Sequence, residues 1–136
     1  MSDFFSDREI SGLVVSGRRL GRELGFPTAN IELNETFEGV RGVYLACMGG
    51  DLLGYWALVN IGERPSVEGG FGSRVKAEVY ILDFSGDLYG RHISFCLVEK
   101  LREELHFGSL DELRDQLDRD RDRAISLISS RNFQLR

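Results

Sequence analysis

At 136 residues, with 42% hydrophobic and 29% charged side chains, the chain has the size and composition of one soluble globular domain, residues 1–136, and is too short for two. A net charge of -5 argues against a general binder of nucleic acid or anionic membrane, which needs a surplus of Lys and Arg. No apolar run approaches the roughly 18 residues that span a bilayer, and the opening "MSDFFSDREI" lacks the basic-then-apolar order of a secretion signal. No membrane partner and a cytoplasmic location are therefore expected.

In chain order, "ISGLVVSG" (10–17) reads as a first strand, and the period stays at two until about residue 98. Residues 17–28 break that regularity. Gly17, Gly21 and Gly25 recur every fourth position, with Arg18, Arg19 and Arg22 among them. Glycines let backbone N–H groups approach phosphate oxygens, and arginines add charge-assisted hydrogen bonds. The spacing is nonetheless not G-x-G-x-x-G, and no helix follows to direct its dipole at an anion, because Pro27 biases Phe26 to an extended conformation. A phosphate-binding loop and a plain glycine-rich turn with solvated arginines both fit these residues. Thr28 and Asn30 flank Ala29 in an extended stretch, so their side chains share one side. A hydroxyl and an amide carbonyl are hard oxygen ligands of the kind magnesium accepts; a local turn with both side chains on backbone groups is the other reading.

"GVYLACM" (42–48) and "YWALVNIG" (55–62) read as a hairpin across "GGDLLG". Cys47 and Cys96 both lie within apolar stretches, without a C-x-x-C pair or a zinc-like spacing to His92 or His106, and are expected to be buried, inert thiols. A second long loop, "GERPSVEGGFGSR", covers 62–74. Beyond it, "RVKAEVYILDF" (74–84) and "RHISFCLV" (91–98) read as a second hairpin across "SGDLYG". Val75, Ala77, Val79 and Ile81 share one face of the first of these strands; Lys76, Glu78, Tyr80 and Leu82 share the other. Glu78 is then either an ordinary outward glutamate or, if loops or a helix cover that face, a carboxylate able to accept a proton.

After residue 98 the period becomes helical. Ser109 with Glu112 forms a capping-box pattern, predicting a helix over about 109–130. Leu110, Leu113, Leu117, Ala124, Ile125 and Ile128 fall on one apolar stripe, and the Asp/Arg ladder opposite reads as a solvated face. Several short strands followed by one helix point to a small antiparallel barrel with the helix against it, since closure removes exposed sheet edges.

These segments resemble the riboflavin kinase (flavokinase) family. The resemblance runs in order through "GLVVSGRRLGRELGFPTANIEL", "GVYLA", "ALVNIGERPSV", "VKAEVYILDFSGDLYG" and "LREELHFGSLDELRDQLDRD", with Gly-Phe-Pro-Thr-Ala-Asn the most specific string. It implies a mainly β fold, a closed six-stranded antiparallel Greek-key barrel with a C-terminal amphipathic helix. It also implies transfer of the γ-phosphate of ATP to the 5′-hydroxyl of riboflavin, giving FMN and ADP. Carried over, Gly17, Arg18, Gly21, Arg22, Gly25, Pro27, Thr28 and Asn30 would bind ATP, with Thr28 and Asn30 holding Mg2+. Glu78 would be the general base, and Arg102, Glu104 and Phe107 would serve the riboflavin side. The chain departs from the family pattern at Ser16, at Ser66 and Val67, and at Glu103, where proline is usual. In most bacteria the similar domain is the C-terminal part of a bifunctional FAD synthetase, whose adenylyltransferase domain is expected to be absent here. The alternative is a flavin- or nucleotide-binding barrel without turnover.

Overall fold

The structure, a computed structural model, describes residues 9–15, 25–33, 35–65 and 73–131. Ser16, Gly17, Arg18, Arg19, Gly21, Arg22, Ser66 and Val67 lie outside the described residues. Among the described residues there are six strands: β1 (Glu9–Val15), β2 (Ala29–Leu33), β3 (Gly42–Met48), β4 (Trp56–Pro65), β5 (Ser73–Ile81) and β6 (His92–Arg102). One long helix, α1 (Leu110–Arg131), follows them. The strands close into a barrel in the order β1-β2-β5-β4-β3-β6, with every pair antiparallel.

Alternation decides which residues fill the barrel. Ile31 of β2, Ala57, Val59 and Ile61 of β4, and Val75, Ala77, Val79 and Ile81 of β5 point inward and form one buried cluster with Phe95 and Leu97 of β6. Small and β-branched side chains suit this interior, because a six-stranded barrel is narrow and must be filled without voids. The opposite faces of β3, β4 and β6 contribute Leu45, Leu58 and Leu101 to a second cluster under α1, where Ala124 is fully buried and Trp56, Tyr80, Leu127 and Ile128 pack around it.

The expected hairpin of β3 with β4 is present, whereas that of β5 with β6 is not. β5 pairs with β2 and β4, and β6 pairs with β1 and β3. The connection after β5 explains the difference. Leu88 buries itself in the barrel core, and beyond it Gly90 N–H donates to the Val14 carbonyl while Val14 N–H donates to that of Arg91. These bonds steer the chain onto β1 instead of back along β5, which makes the topology a Greek key.

The helix starts as its cap predicts. Glu112 N–H donates to Ser109 Oγ at 3.2 Å, and the Glu112 carboxylate accepts from Gly108 N–H at 2.9 Å, one residue earlier than in a standard capping box. The buried stripe differs from the expected one. Leu110 and Ile125 are about half exposed, at 52% and 50%, while Asp120 is buried at 4%. Asp120 therefore belongs to the inward face with Leu113, Leu117 and Ala124, not to a solvated charge ladder. Both cysteines are free, as expected, but half-buried and not fully buried, and they stand opposite each other across β3 and β6. Burial pushes both thiols up from their ordinary range.

Candidate active site

Three polar side chains meet on the outer wall of the barrel because β5 runs between β2 and β4. Glu78 on β5 stands opposite Asn30 on one side and Asn60 on the other. Directly opposed residues place their Cβ atoms about 4.5–5.5 Å apart, so the carboxylate sits between two amides. Asn30 is 8% exposed, and the Oδ1 atoms of Asn30 and Asn60 are both buried without a hydrogen-bond partner among the described residues. A buried amide oxygen left unbonded is unfavourable by about 1–3 kcal/mol. Two such atoms flanking one carboxylate mark a face shaped for a polar ligand.

One end of this row is aromatic. Gly25 has φ +89°, a conformation that glycine tolerates without strain, and the chain then passes through Phe26, Pro27 and Thr28 into β2. Phe26 is 3% exposed and meets the Tyr80 ring edge-on, with centroids 5.1 Å apart. Thr28 is half-buried and lies two residues before Asn30 on the same side of the extended chain. Its hydroxyl and the orphaned Asn30 Oδ1 are hard oxygen donors, a fitting set for a small divalent cation that also binds phosphate.

The other end is charged. Lys76 Nζ donates to Glu78 Oε2 at 2.9 Å, with the two side chains 19% and 27% exposed. One carboxylate oxygen is thus held by the lysine. Lys76 itself stands opposite Glu32 on β2 and Gly62 on β4. A Cβ placed on Gly62 would overlap the Glu104 carboxylate, which lies against the bare backbone at that point. A side chain at this position would displace the Glu104 carboxylate, and barrel closure brings Glu104 onto the same face as Glu78.

Arg102 is held by α1 and by the end of its own strand. Its Nε donates to both Asp120 oxygens at 3.0 and 3.2 Å, Nη2 to Asp120 Oδ2 at 2.8 Å, and Nη1 to the Glu103 carbonyl at 2.9 Å. Gln116 adds a 2.9 Å bond to Asp120 Oδ1, and Arg123 donates to the Leu101 carbonyl. The guanidinium ties α1 to the end of β6 just before Glu104. The Glu103 side chain turns outward to Lys100 at 2.8 Å, a hydrogen bond that raises the Lys100 pKa. Only its backbone carbonyl serves the Arg102 network, and a proline supplies the same carbonyl. Phe107 is half-buried in the otherwise exposed 103–110 segment.

Asn60, Lys76, Asp120 and Arg121 were not among the expected site residues. Asn60 carried a signal, because asparagine is depleted inside strands, and so did Asp120, an acid on an otherwise apolar stripe. Arg121 places its guanidinium carbon 5.0 Å from the Phe26 ring centroid.

Fold and site together define a closed-barrel protein with a row of buried and half-buried polar groups on its outer wall between β2, β5 and β4. The sequence model of one family, Flavokinase (riboflavin kinase), matches residues 6–128. The bifunctional riboflavin kinase/FMN adenylyltransferase of Escherichia coli is 49% identical over 116 residues, covering 82% of this chain and 35% of that protein. The RNA-binding riboflavin kinase RibR of Bacillus subtilis is 37% identical over 123 residues, covering 90% of this chain and 50% of that one. A crystal structure of riboflavin kinase from Trypanosoma brucei superposes with a TM-score of 0.63 at 24% identity, covering 89% of this chain and 79% of that chain, a likeness of fold. The chain belongs to the riboflavin kinase family. It spans about a third of the length of the bifunctional relative.

Proposed function

We propose that the chain, as a single kinase domain, transfers the γ-phosphate of ATP to the 5′-hydroxyl of riboflavin, giving FMN and ADP. The observation that carries this reading is the row Asn30, Glu78, Asn60: a half-buried carboxylate between two buried amide oxygens that lack partners among the described residues. Phosphoryl transfer depends on positioning and charge neutralisation more than on covalent chemistry, and a face of fixed polar groups supplies both.

In this reading Glu78 accepts the proton of the 5′-hydroxyl through its carboxylate, which Lys76 holds by one oxygen. The O–H bond breaks toward Glu78, a new O–P bond forms to the γ-phosphorus, and the bond from that phosphorus to the bridging oxygen of ADP breaks. Thr28 and Asn30 would hold Mg2+, which when bound neutralises phosphate charge. Asn60 offers its amide oxygen to a hydroxyl of the ribityl chain. Gly17, Arg18, Gly21, Arg22, Gly25 and Pro27 form the nucleotide side. Glu104 and Phe107 belong to the riboflavin side, where a half-buried aromatic ring suits the flat isoalloxazine. Arg102 serves that side by holding the segment that bears them. The net charge of -5 supports small-molecule substrates without nucleic acid, although one relative is named as RNA-binding. Among the described residues no helix is long and apolar enough to cross a membrane. A cytoplasmic location is part of the proposal.

Incubation with ATP, Mg2+ and riboflavin, followed by chromatography, tests the proposal: FMN is the expected product. Riboflavin binding without FMN would leave a binding barrel without turnover.

A further inference from the structure

Two consecutive residues of α1 grip the two ends of the polar face. Asp120 holds Arg102 with three hydrogen bonds, and Arg102 in turn holds the Glu103 carbonyl next to Glu104. Arg121 lies over the Phe26 ring, one residue before Pro27 and two before Thr28. Successive helix residues point about 100° apart, so one turn reaches in both directions. The helix is itself fixed to the barrel by Ala124, Leu127 and Ile128 on Leu45, Leu58 and Leu101.

We infer that α1 is the positioning element for both substrates, with Arg121 setting the nucleotide segment through Phe26 and Asp120 setting the flavin segment through Arg102. This rests on the proposed kinase reading. Neither α1 residue touches the reacting atoms; each acts through another side chain. Arg121 contributes a cation over an aromatic ring that is already seated edge-on against Tyr80, which fixes the angle at which Pro27 and Thr28 enter β2. Its own carboxylate partner, Asp118 at 3.0 Å, lies on the same helix and anchors the guanidinium. On the other side, the planar fork of Arg102 satisfies both Asp120 oxygens and a backbone carbonyl at once, a geometry that lysine cannot reproduce. Charged residues on a helix face would ordinarily contribute little. Here they direct force onto the two segments that carry the site.

The two arms predict opposite selectivity. Arg121→Met, which keeps an unbranched stem and helix propensity, raises the KM for MgATP about three- to tenfold and leaves the riboflavin Kd, read by flavin fluorescence, unchanged. Arg121→Lys recovers part of the loss, since an ammonium also sits over a ring. Arg102→Lys weakens riboflavin binding about tenfold or more and leaves the KM for MgATP unchanged. Backbone hydrogen exchange gives a readout independent of turnover: residues 26–30 exchange faster in Arg121→Met, and residues 103–107 in Arg102→Lys. The inference is overturned if Arg121→Met leaves both the KM for MgATP and exchange at 26–30 at wild-type values, or if each variant affects both substrates equally. A wild type that makes no FMN strikes the kinase reading alone, because the exchange pattern still decides the positioning claim.

Discussion

Replacing Asp120 with alanine tests how α1 is held. The Asp120 side chain is 5% exposed and that of Arg102 16%. Alanine removes three hydrogen bonds to the guanidinium and the one from Gln116, leaving Arg102 its bond to the Glu103 carbonyl. A buried charge stripped of its partner is destabilising by about 3–5 kcal/mol, because the guanidinium has lost both water and carboxylate. For a chain of this length each kcal/mol moves Tm by about 3–4 °C, so the expected fall is on the order of 10–20 °C. Asp118→Ala is the matched control. Its pair with Arg121 is 37% and 45% exposed, and its loss should be worth about 1 kcal/mol or less. Urea unfolding followed by circular dichroism gives both numbers, with the slope m checking that the denatured states are comparable. A loss below about 1 kcal/mol for Asp120→Ala, or equal losses for the two variants, would refute the assignment of Asp120 to the core.

Thr28→Ala should chiefly raise the KM for MgATP; steady-state kinetics showing an effect confined to riboflavin would contradict its placement beside Asn30. Gly62→Ala forces the Glu104 carboxylate off the β4 backbone and is expected to weaken riboflavin binding by about tenfold or more, measured by fluorescence titration. Retained affinity would separate Glu104 from the flavin side. Burial raises both cysteine pKa values, so less thiolate is present in the folded protein than in the unfolded chain at pH 8. Iodoacetamide should therefore alkylate the native protein more slowly than the urea-unfolded chain, with the native rate rising as pH increases. Equal rates at pH 8 would contradict the burial argument.

Much of this architecture is legible in local sequence. The alternation of Val75, Ala77, Val79 and Ile81 fixes an inward face, and the same count puts Glu78 on the outer one. Ser109 and Glu112 mark the helix start to within one residue. Partnership between strands is less accessible. The short "SGDLYG" connection suggested a hairpin, but Leu88 plugging the core and the bonds of Val14 with Gly90 and Arg91 send β6 to β1. Periodicity reports which way a side chain faces, not which strand lies beside it.

The site divides along the same line. Thr28, Asn30 and Glu78 were picked out by residue type and by family resemblance, and the register then sets Asn30 beside Glu78. Asn60 enters the row only once β4 is known to flank β5. Glu104 reaches the face through barrel closure, with Gly62 as its sequence trace. Asp120 shows in the sequence only as an acid on the apolar stripe, and its partner Arg102, eighteen residues earlier, is found only in the fold. Arg121 has no such mark within the run of alternating charges.

The central claim is that the outer row around Glu78 performs phosphoryl transfer. Its most direct test compares FMN formation by the wild type and by Glu78→Gln at saturating ATP, Mg2+ and riboflavin. The account predicts FMN and ADP in equal amounts from the wild type, and a kcat lowered by about 10²-fold or more in the variant, with riboflavin binding retained. Wild-type turnover by Glu78→Gln would contradict it.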